Sequence, residues 1–111
     1  MRKYRNKKVE YDGLKFDSKA ERDRYIELTL LERMGEIRDL ATQVPFVLVG
    51  SQITPEGRKR PIVYKADFVY TDAKSGEQVV EDVKGVRTDV YALKKRLMWK
   101  EYGIWIKEVR A

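Results

Sequence analysis

The 111-residue chain has no cysteine and no histidine. Without cysteine it can form no disulfide, no thiolate zinc site and no thiol nucleophile. Without histidine it can build no Ser-His-Asp triad, no HNH-type nuclease site, no H-E-x-x-H metalloprotease and no imidazole acid–base pair. It also lacks the run of about 18 apolar residues that a membrane-spanning helix needs. The opening stretch Met1-Arg2-Lys3-Tyr4-Arg5-Asn6-Lys7-Lys8 has no apolar core of the kind a signal peptide carries. A cytoplasmic protein that does not engage a membrane is expected. Any catalysis is left to carboxylates, lysine, tyrosine or serine, helped by a metal that prefers oxygen ligands.

Charge, by contrast, is abundant. Lys and Arg number 24 against 18 Asp and Glu, a formal net charge of +6, which points to an anionic partner. The 42% of apolar residues and 11% of aromatics suffice for a modest core in a single domain. Residues 1–8 hold five basic residues and no acid and read as a flexible basic arm; residues 9–111 read as one domain.

Val9-Glu10-Tyr11 and Leu14-Lys15-Phe16 flank Asp12-Gly13, the signature of a small hairpin with a type I′ turn. Ser18 with Glu21 three residues on makes a capping box and opens a helix that runs to about Met34, where Gly35 can end it. A strand is expected over residues 43–49, a polar loop over 50–61, a strong strand over 62–71 and its antiparallel hairpin partner over 78–84. Gly85 breaks that strand. Asp89 is expected to cap a second helix over about 90–102, with Val90, Leu93 and Leu97 on its apolar face, before Gly103 and a last strand over 104–109. The order gives an α/β domain with a mixed sheet.

Side chains alternate faces along a strand, so Asp82 and Lys84 share a face with Val80, and Glu81 points the other way with Val79 and Val83. Asp67 lies in the most apolar part of the preceding strand, and a suitable register would bring it to Asp82. Carboxylates placed there are costly to bury unless something positive compensates them. Mg²⁺ does so with one or two carboxylates plus waters and phosphate oxygens, and Lys84 would then orient an attacking water. Glu21 sits on the core-facing side of its helix and could reach the same place, or could serve only as the capping residue. The alternative for Asp67, Asp82 and Lys84 is a cross-strand ion pair on a solvated face. Glu81 reads as a solvated residue or the partner of a lysine.

A helix acid, an Asp on the next core strand, a D-x-K on its hairpin partner and a following basic helix resemble the PD-(D/E)XK phosphodiesterase superfamily. The text Tyr64-Lys65-Ala66-Asp67-Phe68 and Val80-Glu81-Asp82-Val83-Lys84-Gly85 is similar to small phage and prophage nucleases of that superfamily, some grouped with Holliday-junction resolvases. The residue before Asp67 is Ala66 where the family motif has Pro. The resemblance implies a restriction-endonuclease-like core of helix, three-strand meander, helix and strand. It implies an endonuclease using Mg²⁺, with Mn²⁺ able to substitute, in which Glu21, Asp67, Asp82 and Lys84 are catalytic. Glu21, Asp67, Asp82 and the Val83 carbonyl would hold metal. It implies branched or nicked duplex DNA as substrate, in recombination or processing of phage or mobile-element DNA inside a bacterial host cell. Symmetric cutting of two strands implies a homodimer. The rival readings are a nicking nuclease of low selectivity, a non-catalytic nucleic-acid-binding module and a protein–protein adaptor.

The basic residues supply candidates for phosphate contact. Arg58, Lys59 and Arg60 form a loop-tip cluster. Tyr91, Lys94, Lys95 and Met98 share one broad side of the second helix, a ridge suited to phosphate if it faces the metal site and otherwise an ordinary solvated face. Arg2, Lys3 and Arg5 could order on DNA, with Tyr4 and Tyr11 stacking on bases, or remain a solubilising tail. Trp99 and Trp105 read as core or interface residues.

Overall fold

The computed structural model describes residues 8–84 and 86–110. Strands β1 (Val9–Tyr11) and β2 (Leu14–Phe16) form the expected leading hairpin. Asp12 and Gly13 both take positive φ, 56° and 76°, as a type I′ turn requires. Phe16 is buried and fastens the hairpin to helix α1 (Lys19–Arg33). The Ser18 hydroxyl accepts from the Glu21 N–H at 3.1 Å, which satisfies one of the free donors at the helix start. The helix ends at Met34, and Gly35 follows with φ 80°.

Strand β3 (Ile37–Val49) begins six residues earlier than its apolar pattern indicates. Its first half carries Arg38, Asp39, Thr42 and Gln43, and the pairing shifts between Arg38 and Ala41. Asp39 and Gln43 take positive φ, 58° and 53°. These irregularities destroy the period-two alternation that would mark a strand in sequence. The segment expected as a plain polar loop contains a second small hairpin, β4 (Gln52–Thr54) with β5 (Gly57–Lys59), closed around Pro55-Glu56. The remaining elements are β6 (Ile62–Asp72), β7 (Gln78–Lys84), α2 (Asp89–Tyr102) and β8 (Lys107–Arg110).

The main sheet has the order β3-β6-β7-β8, antiparallel except for the β7–β8 pair, which is parallel. Among the described residues the fold is therefore mixed α/β with a mixed sheet and two helices. Leu28 of α1 packs with Phe16, Ile37, Phe68 and Tyr70, and Val79 and Val83 pack against that group. Tyr91 and Met98 of α2 pack with Leu48, Tyr64, Ala66, Val69, Val80 and Ile106. The two clusters cover opposite faces of the sheet. Among the described residues no helix is long and apolar enough to cross a membrane. Residues 1–7, 85 and 111 fall outside the described residues, and with them the arm residues Arg2, Lys3 and Arg5, Tyr4 and the strand break at Gly85.

Helix α2 corrects two expectations. Thr88, not Asp89, caps it: the Thr88 hydroxyl accepts from the Tyr91 N–H at 3.1 Å. Its buried side is Tyr91, Lys95 and Met98, while Val90 and Leu93 are exposed and Leu97 is half-buried. The helix has two apolar stripes, and the aromatic and methionine stripe lies against the sheet.

Glu81 is also a correction, since it is neither solvated nor chiefly a partner of lysine. Fully buried, it accepts from Arg24 Nε at 2.8 Å and Nη2 at 2.7 Å, and from the Tyr70 hydroxyl; Lys107 Nζ lies 4.0 Å away. The fork geometry fixes α1 over β7. Removing one member of a buried pair strands the other charge. Arg24→Met is therefore expected to cost about 3 kcal/mol, and Tyr70→Phe about 1 kcal/mol, in urea unfolding at neutral pH. Equal, negligible effects would show that the cluster does not hold α1.

Candidate active site

The β6–β7 ladder runs from Thr71↔Gln78 to Phe68↔Glu81. The next step in this register sets Asp67 opposite Asp82. There the Asp67 carboxylate accepts the Val83 N–H at 2.8 Å, so a side chain takes a donor that a regular ladder would give to backbone. Tyr64 and Ala66 belong to the α2-side cluster, whereas Phe68 and Tyr70 belong to the α1-side cluster. Strict alternation would put all four on one face. The face changes at Asp67, and on the other flank of β6 the left-handed Gln43 falls opposite Asp67, between the pairs Thr42↔Phe68 and Val44↔Ala66. The sheet is locally remade in the row Gln43, Asp67, Asp82.

All four expected catalytic residues line one open cavity of about 430 Å³: Glu21 from the first turn of α1, Asp67 from β6, and Asp82 and Lys84 from the end of β7. Gln43, Tyr64, Lys65, Val83, Thr88, Val90, Tyr91 and Lys94 line it too. Glu21 is both the N3 residue of the helix and a cavity acid. Its carboxylate does not close the expected capping box on Ser18. It accepts instead from the Asp17 N–H at 3.3 Å and, weakly, from Gln43 Nε2 at 3.5 Å.

The electrostatics follow from crowding acids out of water. Burial, then a hydrogen bond with Asp67 and that residue's charge, push the Glu21 carboxyl up to about 8, against the pull of the Asp17 N–H. The Asp82 carboxyl is also raised, chiefly by burial and by the charge of Asp67. Tyr64 and Lys84 oppose that rise. Asp82 Oδ2 accepts from the Tyr64 hydroxyl at 2.6 Å, and Oδ1 lies 3.3 Å from Lys84 Nζ. Tyr64 itself stays protonated, its hydroxyl raised by burial and by Asp82. The Asp82–Lys84 ion pair therefore exists, but Asp82 is buried and its face is not a solvated one.

Lys84 is steered by a second contact. Its Nζ stands 4.1 Å from the centre of the Tyr91 ring, a cation–π arrangement. The Tyr91 hydroxyl donates to Glu108 Oε2 at 2.9 Å, and Lys95 Nζ donates to the same oxygen at 2.7 Å. Glu108 sits across from Asp82 in the β7–β8 register. Lys95 is thus buried and committed to Glu108, which removes it from the phosphate-facing ridge expected on α2. Lys94 does reach the cavity and donates to the Val63 carbonyl at 2.8 Å. Arg58 and Lys59 lie on the β4–β5 hairpin, bonded to Ser51 and paired with Glu56, and Arg60 follows; none of the three lines the cavity. Val83 lines it, with its N–H engaged by Asp67.

Sequence reasoning missed Tyr64, Gln43 and Glu108. Tyr64 lies three residues before Asp67 and reaches Asp82 because β6 changes face between them. Gln43 passed for an ordinary strand residue, and no local pattern announces its left-handed backbone. Glu108 could have been flagged as an acid in a short basic strand.

The donor set suits a hard divalent cation. Among the described residues no three acids stand together as a ready metal shell. Mg²⁺, however, needs only one or two carboxylates and keeps its waters. Glu21 and Asp67 line the same cavity, and Asp67 raises the cost of ionising Glu21, a cost relieved by a proton or by a cation beside them.

A raised carboxyl pKa has a definite consequence in cation-free protein. The Glu21 contribution to stability is fully present below its unfolded value of 4.5 and is lost as pH rises through about 8, because the unfolded chain releases a proton that the folded chain holds. The shift of Asp82 acts in the same direction. Denaturant midpoints measured in EDTA are expected to fall from pH 5 to pH 8, and Glu21→Gln is expected to flatten that decline. An unchanged slope in the variant would refute the assignment of this proton to Glu21.

No curated protein and no solved structure matches the chain. The family model described as "Protein of unknown function (DUF1064)" matches residues 1–110, so the chain belongs to the DUF1064 family.

Proposed function

We propose that the protein is a Mg²⁺-dependent DNA endonuclease of the PD-(D/E)XK type with a restriction-endonuclease-like core. Mn²⁺ would substitute for Mg²⁺, and the substrate would be branched or nicked duplex DNA in phage or mobile-element recombination. One observation carries the reading: Glu21, Asp67, Asp82 and Lys84, from three separate elements, meet in one cavity at the point where the sheet ladder is interrupted. The helix, three antiparallel strands, helix and parallel strand order of the main sheet supports it further.

In this reading Asp67 and Asp82, with Glu21, would hold the cation, which supplies Lewis-acid polarisation of the phosphodiester. Lys84, held between Asp82 and the Tyr91 ring, presents a positive charge at the cavity wall. There it orients the attacking water and offsets negative charge developing on the phosphoryl oxygens. The new P–O bond forms to that water, which releases a proton to solvent, and the bond to the 3′-oxygen breaks. The 3′-oxygen takes up a proton, leaving a 5′-phosphate and a 3′-hydroxyl as in the superfamily. Lys94, which lines the cavity, would bind a flanking phosphate. Two copies would cut the two strands of a symmetric junction.

Four-way junction, flap, linear duplex and supercoiled DNA incubated with Mg²⁺, Mn²⁺ or EDTA test the reading. Metal-dependent cleavage is expected, reduced at least about 100-fold by Asp82→Asn and by Lys84→Ala. Undiminished cleavage by Asp82→Asn, or cleavage in EDTA, would contradict it. Salt-sensitive binding with no cleavage would favour the non-catalytic module.

Tyr91 offers a finer test of how Lys84 is held. Tyr91→Phe keeps the ring under the ammonium and is expected to keep the turnover rate, while Tyr91→Leu is expected to lower it about tenfold. Both are to be compared at a temperature where circular dichroism shows them folded. Equal rates for the two variants would mean that the ring does not position Lys84.

A further inference from the structure

The chain's two tryptophans are not core residues. Trp99 and Trp105 are each 57% exposed, their ring centres lie 6.3 Å apart and their planes are nearly perpendicular at 88°. With Leu93, Leu97, Arg96 and Lys100 they line a groove of about 540 Å³ along the outer side of α2. The Trp105 ring is held in place from one face, where Lys95 Nζ stands 4.4 Å from its centre while bonded to Glu108. An apolar floor this open is uncommon on a small protein and marks a contact surface.

The charges around the groove select the occupant. Among the described residues its charged lining is Arg96 and Lys100, both exposed, with no acid in the lining itself; Lys100 Nζ bonds the neighbouring Glu101 at 3.3 Å. An α2 from a second copy would set Arg96 and Lys100 against cations of the same kind. A strand of unpaired nucleotides meets the same surface favourably, since every base has a face to stack on an indole and every nucleotide brings a phosphate for Arg or Lys. The position fits as well. Leu93 lies in the groove, and the adjacent Lys94 lines the cavity that holds the four catalytic candidates. We propose that the Trp99–Trp105 groove on the outer side of α2 binds single-stranded nucleic acid. It would seat the unpaired segment of a branched or flapped substrate while the adjoining duplex enters the cavity. Only this last step rests on the nuclease reading.

Both tryptophans sit in the groove, so intrinsic fluorescence of the full chain reports on it directly. Titration with an oligodeoxythymidylate in EDTA, where cleavage is suppressed, is expected to give saturable quenching. Trp99→Ala is expected to weaken the affinity about tenfold. Arg96→Glu combined with Lys100→Glu is expected to weaken it and to reduce the log–log salt slope by about 1.4. A duplex of equal length is expected to quench far less. The proposal is overturned by absence of quenching, by affinity that ignores these substitutions, or by equal quenching with duplex. It is also overturned by sedimentation showing self-association that depends on Trp99. Cleavage without quenching would remove the groove and leave the nuclease; quenching without cleavage would do the reverse.

Discussion

The structure turns on the meeting of acids inside a sheet at the row Gln43, Asp67, Asp82. Carboxylates there cannot be left without compensation, because burial in low dielectric disfavours their charged forms. Each is answered differently. Asp67 takes a backbone N–H from Val83, Asp82 takes the Tyr64 hydroxyl and the Lys84 ammonium, and Glu21 retains a proton. The backbone departs from regular sheet geometry at the same place, with a face change along β6 and a left-handed residue on β3. Such departures concentrate where a site is built, and here they coincide with the row that brings Asp67 and Asp82 together from adjacent strands.

The opposite face supplies the rigidity that such a row needs. Arg24, Glu81 and Tyr70 form a closed polar cluster under α1, and the fork of Arg24 fixes the helix against β7. Glu21 lies one helical turn before Arg24, so the cluster that anchors the helix also sets the position of the cavity acid. On the α2 side, Glu108 gathers Tyr91, Lys95 and Arg87, and packing of buried Tyr91 against the sheet keeps its ring beside Lys84. The pairing with Lys95 keeps the Glu108 carboxyl low and therefore charged. Neighbouring acids of β7 thus do opposite work: Glu81 ties down structure, and Asp82 faces the cavity.

Where chemistry is local, the sequence was legible. Asp12-Gly13 marked its hairpin, Ser18 and Gly35 marked the ends of α1, and period-two alternation placed Asp82 and Lys84 together against Glu81. Hairpin pairing left Asp67 and Asp82 free to converge in a suitable register, and the helix face left Glu21 either a cavity acid or only a cap. What escaped depended on tertiary context. The first half of β3 hides behind two positive-φ residues. The β4–β5 hairpin has too few apolar residues to show a strand. On α2 two apolar stripes compete, and only packing against Val80 and Ile106 decides that Tyr91 and Met98 face inward. The ion pair with Glu108 is what allows Lys95 to join them, leaving Leu93 and both tryptophans to solvent.

If Asp67 and Asp82, with Glu21, hold a divalent cation as proposed, anomalous diffraction from Mn²⁺-soaked crystals will locate it. A single strong anomalous peak is expected within coordination distance of Asp67 and Asp82 oxygens, with Glu21 reoriented toward it. The peak should be lost in crystals of Asp67→Asn. Ordered Mn²⁺ only at unrelated surface acids, with none beside Asp67 and Asp82, would contradict the proposed site.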